Sequence, residues 1–107
     1  MQPYSFSTID GEPDFHELYS KVICEVATKW LTIGLELQLS TRELNEIDAD
    51  NTRVAQKCYE VFQQCRRRET RPFTWGTVIH VLKSPAVGEP ALAERLREYL
   101  CTTTTYP

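Results

Sequence analysis

One methionine, two histidines and four glycines are all that this 107-residue chain holds of those residue types. The scarcity excludes a good deal. Gly11, Gly34, Gly76 and Gly88 are dispersed, so no glycine-rich phosphate loop can be built from them. With only His16 and His80 available, a zinc centre or a Cys–His nucleophile pair has to lean on the cysteines. Cys58 and Cys65 are the nearest pair, set seven residues apart on one face of a helical pattern. That is about 10 Å along the axis, too far to share an ion that takes four close S or N ligands. Both read as buried, and nothing in the sequence supplies an oxyanion pocket for a thiol nucleophile. The expectation is a chain that is not an enzyme, with no catalytic residue, metal or cofactor.

Long hydrophobic runs are missing too. No apolar stretch approaches the roughly 18 residues of a bilayer span, and Met1–Ser5 shows neither the basic start nor the apolar stretch of a secretory signal. Four cysteines, Cys24, Cys58, Cys65 and Cys101, invite a disulfide reading in a chain this short. Three of them lie inside helical patterns, where cysteine behaves as a small buried hydrophobe. Neither Asn45 nor Asn51 begins an Asn-x-Ser/Thr site. Reduced thiols and a cytoplasmic location are therefore expected. A hydrophobic content of 41% suffices for one modest core, which suits one domain at this length.

What is present is the helical period, segment after segment. Residues 1–13, with two prolines and a glycine, read as an extended or mobile tail. Phe15, Leu18, Tyr19, Val22, Ile23 and Val26 recur at spacings of three and four, behind Asp14 as N-cap. A second helix carries Trp30, Ile33, Gly34 and Leu37. Ser40-Thr41-Arg42-Glu43 has the form of a capping box, opening a third helix with Leu44 and Ile47 inward. Asp50 or Asn51 is expected to cap a fourth, with Val54, Cys58, Phe62 and Cys65 buried, and Arg71-Pro72 to end it. Thr74 caps a fifth, with Trp75, Val78, Ile79 and Leu82 inward, stopped by Ser84-Pro85. Pro90 suits the first turn of a sixth, whose inner face is Leu92, Leu96, Tyr99 and Leu100. The β-branched run of residues 102–107 reads as a tail. Six short helices with short connections must pack as a bundle.

Several stretches resemble the death domain. Trp30-Leu31-Thr32-Ile33-Gly34-Leu35-Glu36-Leu37-Gln38-Leu39 is similar to that family's Trp-x-x-Leu-Gly-x-x-Leu-Gly-Leu, with Ile33 for leucine and Gln38 for the second glycine. Thr74-Trp75 resembles the start of its fifth helix. Leu92-Ala93-Glu94 with Leu96 resembles the Leu-Ala-x-x-Leu of its last. Cys65 stands where many members place tryptophan, which implies a locally altered core. The likeness covers residues 14–101. The Arg/Lys-x-Asp-Leu-Leu triplet of death-effector domains is absent, and the Trp30 and Thr74-Trp75 pair is unlike a caspase-recruitment domain. The resemblance implies an all-α, six-helix antiparallel bundle of Greek-key topology that binds other death-domain proteins, by homotypic contact or self-association.

Charge is distributed unevenly. Residues 36–50 carry a net −4, and residues 53–71 a net +4, in a chain of net −3. Acids near a helix start and arginines in a last turn complement the helix dipole, which accounts for part of this. The resemblance implies more, because death-fold assemblies commonly set one domain's first and fourth helices against the next domain's second and third. On that reading Lys57, Arg66, Arg67 and Arg68 face Glu43, Glu46, Asp48 and Asp50 of a neighbour, a heterologous contact. A structural bundle without homotypic partner is the alternative. Nucleic-acid binding through Arg66–Arg71 is a lesser one, disfavoured by a pI near 5.4, because backbone binding needs a broad basic face. No nucleic acid and no membrane are expected as partners.

Overall fold

A computed structural model describes residues 11–68 and 73–104, with side chains as far as Leu100. The chain is all-helical, and among the described residues there is no strand. Five α-helices have seven residues or more: α3 (Trp30–Glu36), α4 (Thr41–Asp50), α5 (Val54–Arg67), α6 (Trp75–Lys83) and α7 (Pro90–Thr104). Ahead of them comes a composite segment. It runs through α1 (Phe15–Leu18), a π turn (Tyr19–Ile23), α2 (Cys24–Val26) and a 3₁₀ turn (Ala27–Lys29). No helix among the described residues is long and apolar enough to cross a membrane. The chain divides into two compact units, Asp14–Pro72 and a second that joins Phe73–Pro107 to Met1–Pro13.

The composite segment replaces the single regular helix expected over Phe15–Val26, and the reason lies in its period. A π turn takes one more residue per turn than an α turn, so residues beyond it are set back by about 100°, one helical residue. Here the Cys24 N–H reaches back to the Tyr19 carbonyl. The offset aligns Val22, Ile23 and Val26 with Leu18, and all four are fully buried. Phe15 and Tyr19 are left on the edge: Phe15 is half-buried and Tyr19 is 38% exposed.

Helix α3 ends in a Schellman motif. The Gln38 N–H bonds to the Leu35 carbonyl and the Leu39 N–H to the Gly34 carbonyl, and Gln38 takes the left-handed conformation at φ 66°. Glycine is the residue favoured at that position. The second glycine of the death-domain pattern is thus missing where a left-handed backbone is needed, at a cost of about 1–2 kcal/mol for an L-residue. The exposed Gln38 side chain makes no hydrogen bond among those described, so little offsets that cost. Gln38→Gly is therefore expected to raise stability by about 0.5–1 kcal/mol once the entropy of glycine is deducted, read as a higher urea midpoint at unchanged m-value. Gly34 answers a different constraint, that of close packing. A Cβ there would collide with the Leu44 Cδ2 and touch Val61, so glycine lets α3 pass close over α4 and α5.

The buried residues of this unit include Ile33, Leu39, Leu44, Ile47, Cys58, Val61 and Phe62. Phe62 is the largest fully buried side chain among the described residues. Besides Phe15, three expected core residues are only half-buried: Trp30, Leu37 and Cys65. Cys65 therefore does not occupy a core position for a tryptophan to vacate. Val54 is 41% exposed, since it is the first residue of α5 and precedes the turn at which the apolar stripe reaches the core. Neither Asp50 nor Asn51 caps α5. Asp50 is the last residue of α4, the N-cap is Arg53, and the Asn51 amide donates to the Ile47 carbonyl at 2.9 Å. The expected stop at Arg71-Pro72 comes too late: α5 ends at Arg67, and Arg68 already has extended backbone at φ −72° and ψ 135°.

In the second unit, Thr74 caps α6 by accepting the Thr77 N–H at 3.3 Å. Pro85 follows the helix end. Gly88, at φ 68°, turns the chain so that the Glu89 N–H reaches the Leu82 carbonyl. Helices α6 and α7 pack through Trp75, Val78, Ile79, Leu82, Leu92, Leu96 and Leu100, all buried, while Tyr99 is half-buried. Two tail expectations need revision. Gly11 accepts a hydrogen bond from the Trp75 N–H at 3.1 Å, and Pro13 is buried; residues 1–10 lie outside the described ones. At the other end α7 continues to Thr104, because adding a threonine to a formed helix costs only a few tenths of a kcal/mol. Residues 105–107 lie outside the described ones.

Candidate interaction surface

The eight charged residues picked from sequence sit on α4, α5 and the residue after α5, within the unit Asp14–Pro72. Ser40 places the first of them. Its Oγ accepts the Glu43 N–H at 3.1 Å, and Glu43 Oε1 accepts the Ser40 N–H at 2.8 Å, the reciprocal bonds of a capping box. The same Oε1 also accepts from Arg68 Nη2 at 3.1 Å. Arg68 goes further: Nη2 donates to the Gln38 carbonyl at 2.9 Å and Nη1 to the Leu37 carbonyl at 3.4 Å. One guanidinium thus ties the end of α3 to the start of α4. A cation there also complements the negative end of the α3 dipole.

Arg68 and Glu43 are accordingly brought together within one chain. The Glu43 carboxyl is held below the ordinary glutamate value, first by the Ser40 backbone N–H and then, against a smaller opposing effect of desolvation, by the Ser40 hydroxyl and Arg68. A depressed folded-state pKa contributes stability that is present above the unfolded value and is lost as pH falls through the folded one. Wild-type stability is therefore expected to decline below the ordinary glutamate range, and Glu43→Gln to weaken that decline. Arg68→Ala, which strips one donor group from three acceptors on a partly exposed site, is expected to cost about 1–2 kcal/mol. Urea titrations across the acid range check both.

Lys57 and Asp48 form a second internal pair, Nζ to Oδ1 at 2.6 Å, with the lysine side chain only 16% exposed. The ammonium also lies 5.4 Å from the centroid of the Trp30 ring, a cation–π arrangement. Glu46 pairs with Arg42 one turn back at 3.7 Å, both highly exposed; such a pair contributes little. Asp50, Arg66 and Arg67 are exposed. Arg66 Nε donates to Gln63 Oε1 at 3.3 Å, and its guanidinium lies 5.4 Å from the centroid of the Phe15 ring. The set chosen from sequence therefore divides. Glu43, Asp48, Lys57 and Arg68 pair with one another inside the chain, while Glu46, Asp50, Arg66 and Arg67 are exposed, Glu46 and Arg66 with local partners of their own.

No group of three His, Cys, Asp or Glu side chains is arranged to hold a metal ion among the described residues. Cys24 and Cys58 are free thiols. Burial pushes the Cys58 thiol up to about 12, the reverse of what a nucleophile requires.

Two apolar features complete the surface. Leu31 is 48% and Leu35 56% exposed on α3, one turn apart and so on one face. Across α1, the π turn and α5, Phe15 stands edge-on to Tyr59 at 5.5 Å and 83°, and Tyr19 lies 6.4 Å from the same ring. The leucines were legible in sequence, because Trp30-Leu31-Thr32-Ile33-Gly34-Leu35-Glu36-Leu37 has more apolar residues than a single stripe can bury. The exposure of Tyr19 depends on the π turn, which no residue pattern announces. Comparison with protein-family models, with curated proteins and with solved structures gives no match to this chain.

Proposed function

We propose that this chain is a non-enzymatic protein-interaction module of the death-domain kind, a six-helix antiparallel bundle of Greek-key topology. It works in cytoplasmic signalling assemblies through homotypic contacts, including contacts with copies of itself. The order of helix signals supports the family reading. These are the capping box at Ser40, the Trp30-to-Leu39 stretch with its closely packed Gly34, the Thr74-Trp75 start of α6 and the Leu92-to-Leu96 stretch of α7.

The observation that supports the interaction reading is the exposure of two patches of opposite sign on α4 and at the end of α5. Glu46 and Asp50 stand on α4, and Arg66 and Arg67 at the end of α5. Patches of opposite sign on different surfaces make a heterologous, propagating contact, and their complementarity sets partner choice and encounter rate. The test is single charge reversal on each patch, followed by mixing of the two variants. Added salt should weaken the contact, since charges are screened beyond about 8 Å at physiological ionic strength.

A further inference from the structure

Left-handed backbone at a residue with a side chain is strained, and such strain persists only where the surroundings over-determine it. Gln38, at φ 66°, is the one non-glycine residue with positive φ among the described residues. Its two torsions are set by the peptide planes on either side of it. The plane before carries the Leu37 carbonyl and the Gln38 N–H, and the plane after carries the Gln38 carbonyl and the Leu39 N–H. Both N–H groups bond back into α3, to the Leu35 and Gly34 carbonyls. Both carbonyls accept from the guanidinium of Arg68, 31 and 30 residues further along the chain.

That guanidinium also donates to Glu43 Oε1, which holds the Ser40 N–H at the start of α4. One planar group therefore fixes both torsions of Gln38 and the first turn of α4 together. The strain at Gln38 and the contribution of Arg68 are of the same order, so neither is negligible beside the other. The bonds into α3 and the buried Leu39 remain without Arg68, so its loss loosens the turn and does not unfold it. Lysine cannot replace it, since an ammonium lacks the planar fork that reaches acceptors on three residues.

The death-domain resemblance set Arg68 beside Arg66 and Arg67 as a base facing a neighbour's acids. In that role its charge alone would matter, and lysine would serve. We infer instead that Arg68 is a positioning residue. It holds Gln38 in the left-handed conformation and so fixes the start of α4, whose Glu46 and Asp50 belong to the proposed surface. The consequence for binding rests on the self-association reading above; the conformational role stands without it.

The experiment compares wild type, Arg68→Lys and Arg68→Lys/Gln38→Gly, with thermal melts by circular dichroism to establish that each is folded. Amide hydrogen exchange at Leu39 and Ser40 reads the turn directly. Arg68→Lys, which keeps the charge, should speed exchange there by about 10-fold. Adding Gln38→Gly removes the strain and should bring it back to within about threefold of wild type. Sedimentation velocity on the same proteins should show association weakened in Arg68→Lys and regained in the double variant. A substitution that adds no charge could not restore a lost charge contact. Exchange in Arg68→Lys that matches wild type, or that stays fast after Gln38→Gly, overturns the positioning role. Wild-type association in Arg68→Lys despite fast exchange overturns its consequence for the surface. A wild type that is monomeric throughout sinks the self-association reading, and the exchange rates still decide the role of Arg68.

Discussion

Phe62→Ala is expected to lower stability by about 3–5 kcal/mol, the range for deleting a buried aromatic ring. Phe62 lies at the middle of the inward face of α5, between Cys58 and Val61 on one side and the half-buried Cys65 on the other, and is wholly inaccessible. The cost has two parts, the lost transfer energy of the ring and the cavity left when neighbours fail to close over it. The close packing of a protein interior leaves such neighbours little room to move, so relaxation is limited. Against a total of about 5–15 kcal/mol for a domain, the loss is enough to leave the variant marginal at 37 °C. A urea titration by circular dichroism reads it directly. Trp30→Ala should cost less, because Trp30 is only half-buried and gives one face to the Lys57 ammonium.

The second large effect concerns association. Arg67→Glu and Asp50→Lys are each expected to weaken self-association by roughly 100-fold, about 3 kcal/mol, by setting like charges against each other across the contact. These two positions are chosen because both are exposed and neither belongs to the Lys57–Asp48 pair or the Arg68 tie. Reversal at Asp48 would be ambiguous. It would strand Lys57, whose side chain is largely covered, and any loss of binding would mix with a loss of stability. Arg68 is less suitable still, because its variants loosen the α3–α4 junction. Added salt should reduce wild-type affinity and shrink the difference between wild type and variants.

How much of this was legible beforehand varies by element. Local signals carried well: Asp14, Ser40 and Thr74 all act as N-caps, since a cap depends on a side chain and the amides two or three residues ahead. Periodicity carried the buried faces of α4, α6 and α7 for the same reason. In the first segment it carried Leu18, Val22, Ile23 and Val26 but not Phe15 and Tyr19, which the extra residue of the π turn leaves at the edge. The identity of the charged site was half legible. Sequence shows that acids and bases cluster, yet whether Lys57 meets Asp48 of its own chain or of a neighbour depends on how α4 lies beside α5. Arg68 shows the same limit: its acceptors are 25 to 31 residues away, and two of them are backbone carbonyls that no side-chain pattern reveals. Gln38 was visible as a departure from the family pattern, but its left-handed backbone was not.

The most direct test of the account is sedimentation velocity on wild type, Arg67→Glu, Asp50→Lys and an equimolar mixture of the two variants. Wild type is expected to show mass rising with concentration, in line with an open heterologous contact. Each variant alone should sediment as a monomer, and the mixture should regain association, because each retains the patch that the other lacks. Wild type that stays monomeric at every concentration, or variants that associate as wild type does, would contradict the claim that opposed charged faces make this chain an interaction module.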